Sequence, residues 1–134
     1  MSKTALAALL HDLGMIGIEE ELLRGDHTPS ENDTRRLQQH PIMGASILRP
    51  MKTFQRFIPV VRWHHERLDG SGYPDGLMGD QIPIESQIVG LANRFDSLRH
   101  EHPTLSQKEC LEMLAQETQS GKWNHELADV FSRA

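Results

Sequence analysis

Four histidines and an aspartate hold the chemistry that this sequence offers. His11 and Asp12 are adjacent, His40 stands directly before Pro41, and His64 and His65 are adjacent again. Imidazole and carboxylate together suit a borderline divalent cation such as iron, manganese or zinc, and a carboxylate can bridge two ions. Neighbouring histidines chelate poorly in mid-helix, where their side chains diverge by about 100°. At a helix end the backbone can turn to reconcile them. Directly after His65 comes "ERLDGSGYPDG", with Gly70, Gly72 and Gly76 around Pro74. A helix that merely stops needs one glycine. The loop is therefore either a solvated connector or a backbone that can lie close to something the histidines hold. By spacing alone, a structural role and a metal site stand level for these histidines. His27, His100, His102 and His125 fall in or near expected loops without partners and read as solvated.

The elements that must position these residues read as helical nearly throughout. "KTALAALL" (3–10) predicts a short apolar helix that runs into His11 and Asp12 and is stopped by Gly14. A second short helix is expected over 18–23. Ser30 with Asp33 signals the start of a helix over 31–39, and Pro41 suits the first turn of the next, which ends near Pro50. Residues 53–66 predict a further helix, kinked or restarted at Pro59. Ile84, Ile88, Leu91, Phe95 and Leu98 recur at helical spacing and predict a long core helix over 84–99. Ser106 and Glu109 form a capping box before a helix over 107–117, and "NHELADVFSR" closes the chain as a last helix. No stretch shows the sustained alternation of a strand. The expected class is all-α, a bundle of about six to seven helices.

The whole chain sets wider bounds. Its 134 residues are expected to form one domain with a real core. It is 37% hydrophobic and 25% charged, ordinary for a soluble protein, with no apolar run near the length of a membrane span. The opening residues lack a signal-peptide pattern. A formal net charge of −5 argues against a general binder of nucleic acid polymers or anionic membranes. Any anionic ligand must then be held locally, by metal ions or a few placed arginines. The single cysteine, Cys110, excludes an intramolecular disulfide, reads as a small buried residue, and fits a reducing cytoplasm.

"HDLGMIGI", "QQHPIMGASIL" and "VRWHHERLDGSGYPDGL", in this order and spacing, resemble the HD-GYP family of metal-dependent phosphodiesterases. The likeness continues through "IPIESQIVGLANRFDSL" and "GKWNHELADVF", so it covers almost the entire chain. The resemblance implies an all-α HD fold with a two- or three-metal centre, iron or manganese being the expected ions. It also implies hydrolysis of cyclic di-GMP by a metal-activated water, in bacterial signal transduction. Carried over by position, His11 and Asp12 are the HD pair, with Asp12 bridging two ions. His40, His64 and His65 complete the shell of one ion, and Asn93 falls at a further metal-ligand position. Asp12 and Arg67 are the candidate catalytic residues. Arg67, Gly70, Gly72 and Tyr73 are the candidate substrate contacts, through the guanidinium and the backbone N–H groups of the loop. The family's loop is proposed to contact GGDEF-type cyclic di-GMP synthases, and the resemblance leaves room for a homodimer.

The departures from the family pattern converge on this site. Met15 stands where "HDxGK" has a lysine, and Asn93 stands where "ADxFDAL" has its first aspartate. The family's "RPYRK" segment is reduced to "HPTLS" at 102–106. The family also carries an upstream helix with another metal-binding histidine, which this chain is expected to lack. An amide is a much weaker ligand than a carboxylate for iron or manganese. Asp96, one turn further along, is the nearest substitute, although its family role is structural. The expectation is one firmly held metal and a second that is weak or absent. Three functions follow: a phosphodiesterase of reduced activity, a degenerate metal- or ligand-binding module that docks a GGDEF partner, and a generic HD nucleotide phosphohydrolase, against which the loop argues.

Overall fold

The computed structural model describes residues 2–25 and 28–134; His27, read as solvated, lies outside them. The helices run α1 (Lys3–Leu10), α2 (Glu20–Arg24), α3 (Glu31–Leu37), α4 (His40–Leu48), α5 (Ile58–Trp63), α6 (Ile84–Glu101), α7 (Gln107–Gln119) and α8 (His125–Arg133). Short 3-10 turns cover Leu13–Gly17, Lys52–Phe57 and Gly79–Gln81. Among the described residues there is no strand; an isolated antiparallel bridge joins Asp69 to Met78 at the neck of the glycine-rich loop. The all-α expectation holds, with seven of these helices at six residues or longer and α2 at five.

The start signals work as chemistry predicts. Ser30 and Asp33 close a capping box on α3, and Ser106 and Glu109 do the same on α7. Pro41 lies in the first turn of α4, where its missing N–H costs nothing. Two expectations need correction. The helix expected over 53–66 is a 3-10 segment followed by the short α5, which restarts with Pro59 in its first turn. Gly14 does not stop α1, which ends at Leu10; it sits inside the following 3-10 turn.

Two apolar clusters hold the helices together. Ala7, Leu48, Phe57, Val60, Val61 and Val89 join α1, α4, α5 and α6. Leu91, Leu98, Cys110, Leu114 and Trp123 join α6 to α7 and the segment before α8. Helix α6 contributes to both and so connects the two halves. Leu91 and Leu98 are buried as the periodicity predicts, and Cys110 is fully buried. Ile84 and Ile88, expected in the core, are 48% and 39% exposed. The buried stripe of α6 runs instead through Ser86, Val89, Gly90 and Leu91, because glycine and serine let neighbouring backbone come close there.

Candidate metal centre

The histidine and aspartate candidates stand at or just beyond the ends of elements, whereas Asn93 lies inside α6. His11 caps the C-terminus of α1, Asp12 opens the first 3-10 turn, His40 begins α4, and His64 caps α5. Two glycines bring these ends together. A Cβ on Gly14 would lie 1.8 Å from the His40 carbonyl oxygen, and one on Gly90 would lie 2.4 Å from that of His64. Only a residue without a side chain permits either approach. The first sets the Asp12 turn against α4, and the second sets α6 against the end of α5.

The side chains converge as a result. Asp12 Oδ1 lies 3.3 Å from His40 Nε2 and 3.6 Å from His64 Nε2, and the two imidazole nitrogens lie 3.3 Å apart. Asp12, His40, His64 and His65 each offer a ligand atom, all within 4.8 Å of one another. The four residues expected to form a complete shell are thus one cluster. His11 is held beside it through Asp12, whose Oδ2 lies 3.0 Å from His11 Nε2. Asp12 therefore turns one oxygen to the cluster and the other away from it, the disposition a bridging carboxylate needs.

The proton positions favour a cation. His40 Nδ1–H donates to the Leu37 carbonyl (2.8 Å) and His64 Nδ1–H to the Val61 carbonyl (2.9 Å). That tautomer leaves both Nε2 lone pairs facing each other and Asp12, which is the arrangement found around a ligated metal. Burial pushes His64 down from the ordinary imidazole range and His65 down to about 2, helped by the neighbouring imidazoles. Both rings are neutral at physiological pH, the form that ligates. Burial works against ionisation of Asp12, but its close polar contacts with the His11, His40 and His64 rings outweigh burial and hold the carboxyl far below its usual range. The donor set fits a divalent ion: four converging ligand atoms, from three imidazoles and one carboxylate.

Two openings flank the cluster. A cavity of about 400 Å³ is bordered by His65, Arg67, Tyr73, Asn93, Arg94 and Lys122. A groove of about 440 Å³ between α1 and α6 runs past Ala8, Ile88 and Asn93 to His11 and Asp12. Asn93 borders both. Arg67 lies over the Trp123 ring, 4.1 Å from its centroid, and donates to the Glu66 carbonyl at 2.8 Å. Burial lowers its pKa to about 10, so it stays charged at neutral pH.

The glycines of the loop serve the loop itself. Gly70 adopts φ +79° in a turn against Met78 and is not among the residues that border the cavity. Gly72 borders it, but a Cβ there would meet the main chain of residues 65–67 at 2.4–2.5 Å. The close approach is thus to the Met78 side chain at Gly70 and to the chain's own backbone at Gly72. Sequence reasoning passed over the groups that fold the loop. Glu66, 3% exposed, accepts from the N–H groups of Asp75, Gly76 and Leu77. Asp75 accepts from Arg62 and from Trp63 Nε1. It also passed over Arg94, which is tied to Glu117 and Glu101. A glutamate directly after two histidines was the one available signal.

The HD domain family model matches residues 1–127. The chain is 41% identical over 102 residues to the cyclic di-GMP phosphodiesterase response regulator RpfG of Xanthomonas campestris, covering 73% of this chain and 26% of that protein. It is 36% identical over 137 residues to a cyclic di-GMP phosphodiesterase of Thermotoga maritima, covering 98% and 37%. Against the 3'3'-cGAMP-specific phosphodiesterase 1 of Vibrio cholerae it is 32% identical over 134 residues, covering 96% and 30%. The chain therefore spans between 26% and 37% of the length of these relatives. With the HD pair at His11 and Asp12 and the loop that follows His65, the chain belongs to the HD domain family, of the HD-GYP type, whose members bind divalent metal ions.

Proposed function

We propose that this chain is a metal-dependent phosphodiesterase domain of the bacterial cytoplasm that acts on cyclic di-GMP, at a rate limited by its second metal position. The observation that carries this reading is the cluster of Asp12, His40, His64 and His65 opening beside a cavity bordered by Arg67 and Lys122. Those four residues would hold the firmly bound ion, iron or manganese. When bound, the ion supplies Lewis-acid stabilisation of the phosphoryl oxygens and a nucleophilic water at neutral pH. Asp12 turns one oxygen to the ligand set and the other to His11, so Asp12, His11 and Asn93 would hold a second ion. Arg67 stays charged and is fixed in place by Trp123, so its guanidinium can receive a phosphate oxygen without reorganising. Tyr73 and Gly72 wall the cavity on the loop side.

A second reading rests on Asn93 and Met15. A neutral amide at the junction of both openings, and a thioether where the family has a cation, suit a module that binds metal and ligand without turnover. The loop of residues 69–78 would then be a docking face for a GGDEF-type synthase. Anaerobic purification, metal analysis, and cyclic di-GMP hydrolysis with iron or manganese, with His64→Ala as control, separate the two. Metal-dependent hydrolysis abolished by the substitution supports the enzyme, and a second ion per chain would mark a filled second position. One ion or none, with no turnover under any metal, would sink it; hydrolysis of 3'3'-cGAMP in preference would move the substrate and leave the mechanism.

A further inference from the structure

One histidine of the cluster lacks the restraint the others share. His11, His40 and His64 each place Nδ1 against the carbonyl three residues earlier, at Ala8, Leu37 and Val61. These bonds fix both ring rotation and tautomer. Among the described residues His65 has no such bond. Its imidazole instead lies flat against the Tyr73 ring, with centroids 4.7 Å apart and planes 15° apart. Tyr73 is placed by the loop, whose backbone N–H at Tyr73 donates to the His65 carbonyl. The loop in turn is anchored by the buried Glu66 carboxylate, which receives the N–H groups of residues 75–77 at 2.7–3.2 Å.

We infer that Tyr73 and Glu66 are positioning residues for the metal centre: Glu66 folds the loop, the loop places Tyr73, and the stacked tyrosine ring sets the orientation of the His65 imidazole. The stack is a matter of ring geometry, and phenylalanine preserves it. The tyrosine hydroxyl is not needed for this role. The inference rests on the proposed metal cluster and adds to it the residues that hold its fourth ligand in register.

Apo protein titrated with Mn(II) against a chelating indicator provides the test, with thermal unfolding of each apo variant beside it. Tyr73→Phe should bind within about twofold of the parent. Tyr73→Ala should bind more weakly by roughly 10- to 100-fold, the usual effect of losing a partner behind a ligand. Glu66→Gln should follow Tyr73→Ala in direction, because a carboxamide cannot accept all three N–H groups as the carboxylate does. The decisive arm is a cycle with His65→Ala. In that background Tyr73→Ala should cost nothing further, since no ring is left to orient. A merely structural tyrosine would instead lower affinity and apo stability in both backgrounds. Parent-like Mn(II) affinity in Tyr73→Ala, or equal losses in Phe and Ala variants, would overturn the inference. A parent chain that takes up no Mn(II) would overturn the cluster reading and this inference together.

Discussion

Gly14 is the place where one methyl group should disturb the centre without touching any ligating side chain. An alanine there would set its Cβ 1.8 Å from the His40 carbonyl oxygen and 2.6 Å from the Gly44 amide nitrogen. Real Cβ atoms essentially never come within 3.0 Å of such atoms, so the turn and α4 must part by about 1.2 Å in a close-packed interior. Both obstructing atoms are main chain, and no rotamer change relieves them. Overpacking costs about 1–3 kcal/mol, and rigid backbone places this case at the upper end. For a chain of 134 residues, about 3 kcal/mol lowers the melting temperature by roughly 10 °C. Asp12 lies two residues before Gly14, and its Oδ1 is 3.3 Å from His40 Nε2. A parting of this size loosens that pair, and Mn(II) affinity should fall by roughly 10-fold or more. Differential scanning fluorimetry of the apo protein and a chelator-competition titration read the two effects. Melting within 2 °C of the parent (about 0.6 kcal/mol), with unchanged affinity, would refute the claim that this contact places Asp12 against α4.

Asn93→Asp should raise metal content toward two ions per chain and increase the hydrolysis rate; metal analysis showing no added ion would mean that another feature limits the second position. The Asp75 carboxyl is held low by hydrogen bonds from Arg62 and Trp63, so its clamp stabilises the fold fully above about pH 3.8 and is lost as the pH falls through its lower folded value. Arg62→Ala should therefore destabilise the protein at pH 7 and make less difference at pH 3, as read by urea unfolding at each pH; an equal effect at both would contradict the ion-pair account. Ser106→Ala removes the hydroxyl that accepts from the Glu109 N–H and should cost about 1 kcal/mol, measurable as a shift in urea midpoint. A loss below 0.3 kcal/mol would show that α7 does not depend on its cap, since caps typically contribute about 1 kcal/mol.

The parts legible in the sequence are those fixed by local chemistry. Ser30 with Asp33 and Ser106 with Glu109 announced helix starts because a cap is satisfied within four residues. The cluster of Asp12, His40, His64 and His65 was legible as a set from the quoted motifs, although the role of each member stands as a proposal. What escaped notice depends on distant partners. Glu66 bonds to residues nine to eleven positions later, and Arg94 meets Glu117 across two helices. Neither pairing leaves a periodic trace. Ile84 and Ile88 misled for a related reason. They keep helical spacing, but Gly90 meets the His64 carbonyl, and that contact rotates the tightly packed face of α6 toward its small residues. The glycines of the loop were legible as needed, but not for what. At Gly72 the neighbour is the chain's own backbone.

Charge arithmetic at the cavity constrains the two functional readings. Arg94 gives its guanidinium to Glu117 and Glu101, so it adds little attraction for an anion. Met15 supplies none. Arg67 and Lys122 remain; set against the one carboxylate in excess at Arg94, Glu117 and Glu101, they leave a single positive charge for the two phosphodiester charges of a cyclic dinucleotide. The balance must come from the metal centre, where Asp12 is the one carboxylate in the cluster. One divalent ion with one carboxylate leaves a net positive charge facing the cavity, and the neutral Asn93 does not cancel it. A carboxylate at position 93 would instead need a second ion to offset it. Under the proposed reading, asparagine at position 93 would weaken the second ion while leaving phosphate attraction to the first intact. Binding and turnover separate under this scheme: a one-ion protein should hold cyclic di-GMP in a metal-dependent way and hydrolyse it slowly. Reduced kcat at nearly unchanged KM in the parent relative to Asn93→Asp is the signature of that separation, whereas a KM that falls steeply with the added carboxylate would place the defect in binding.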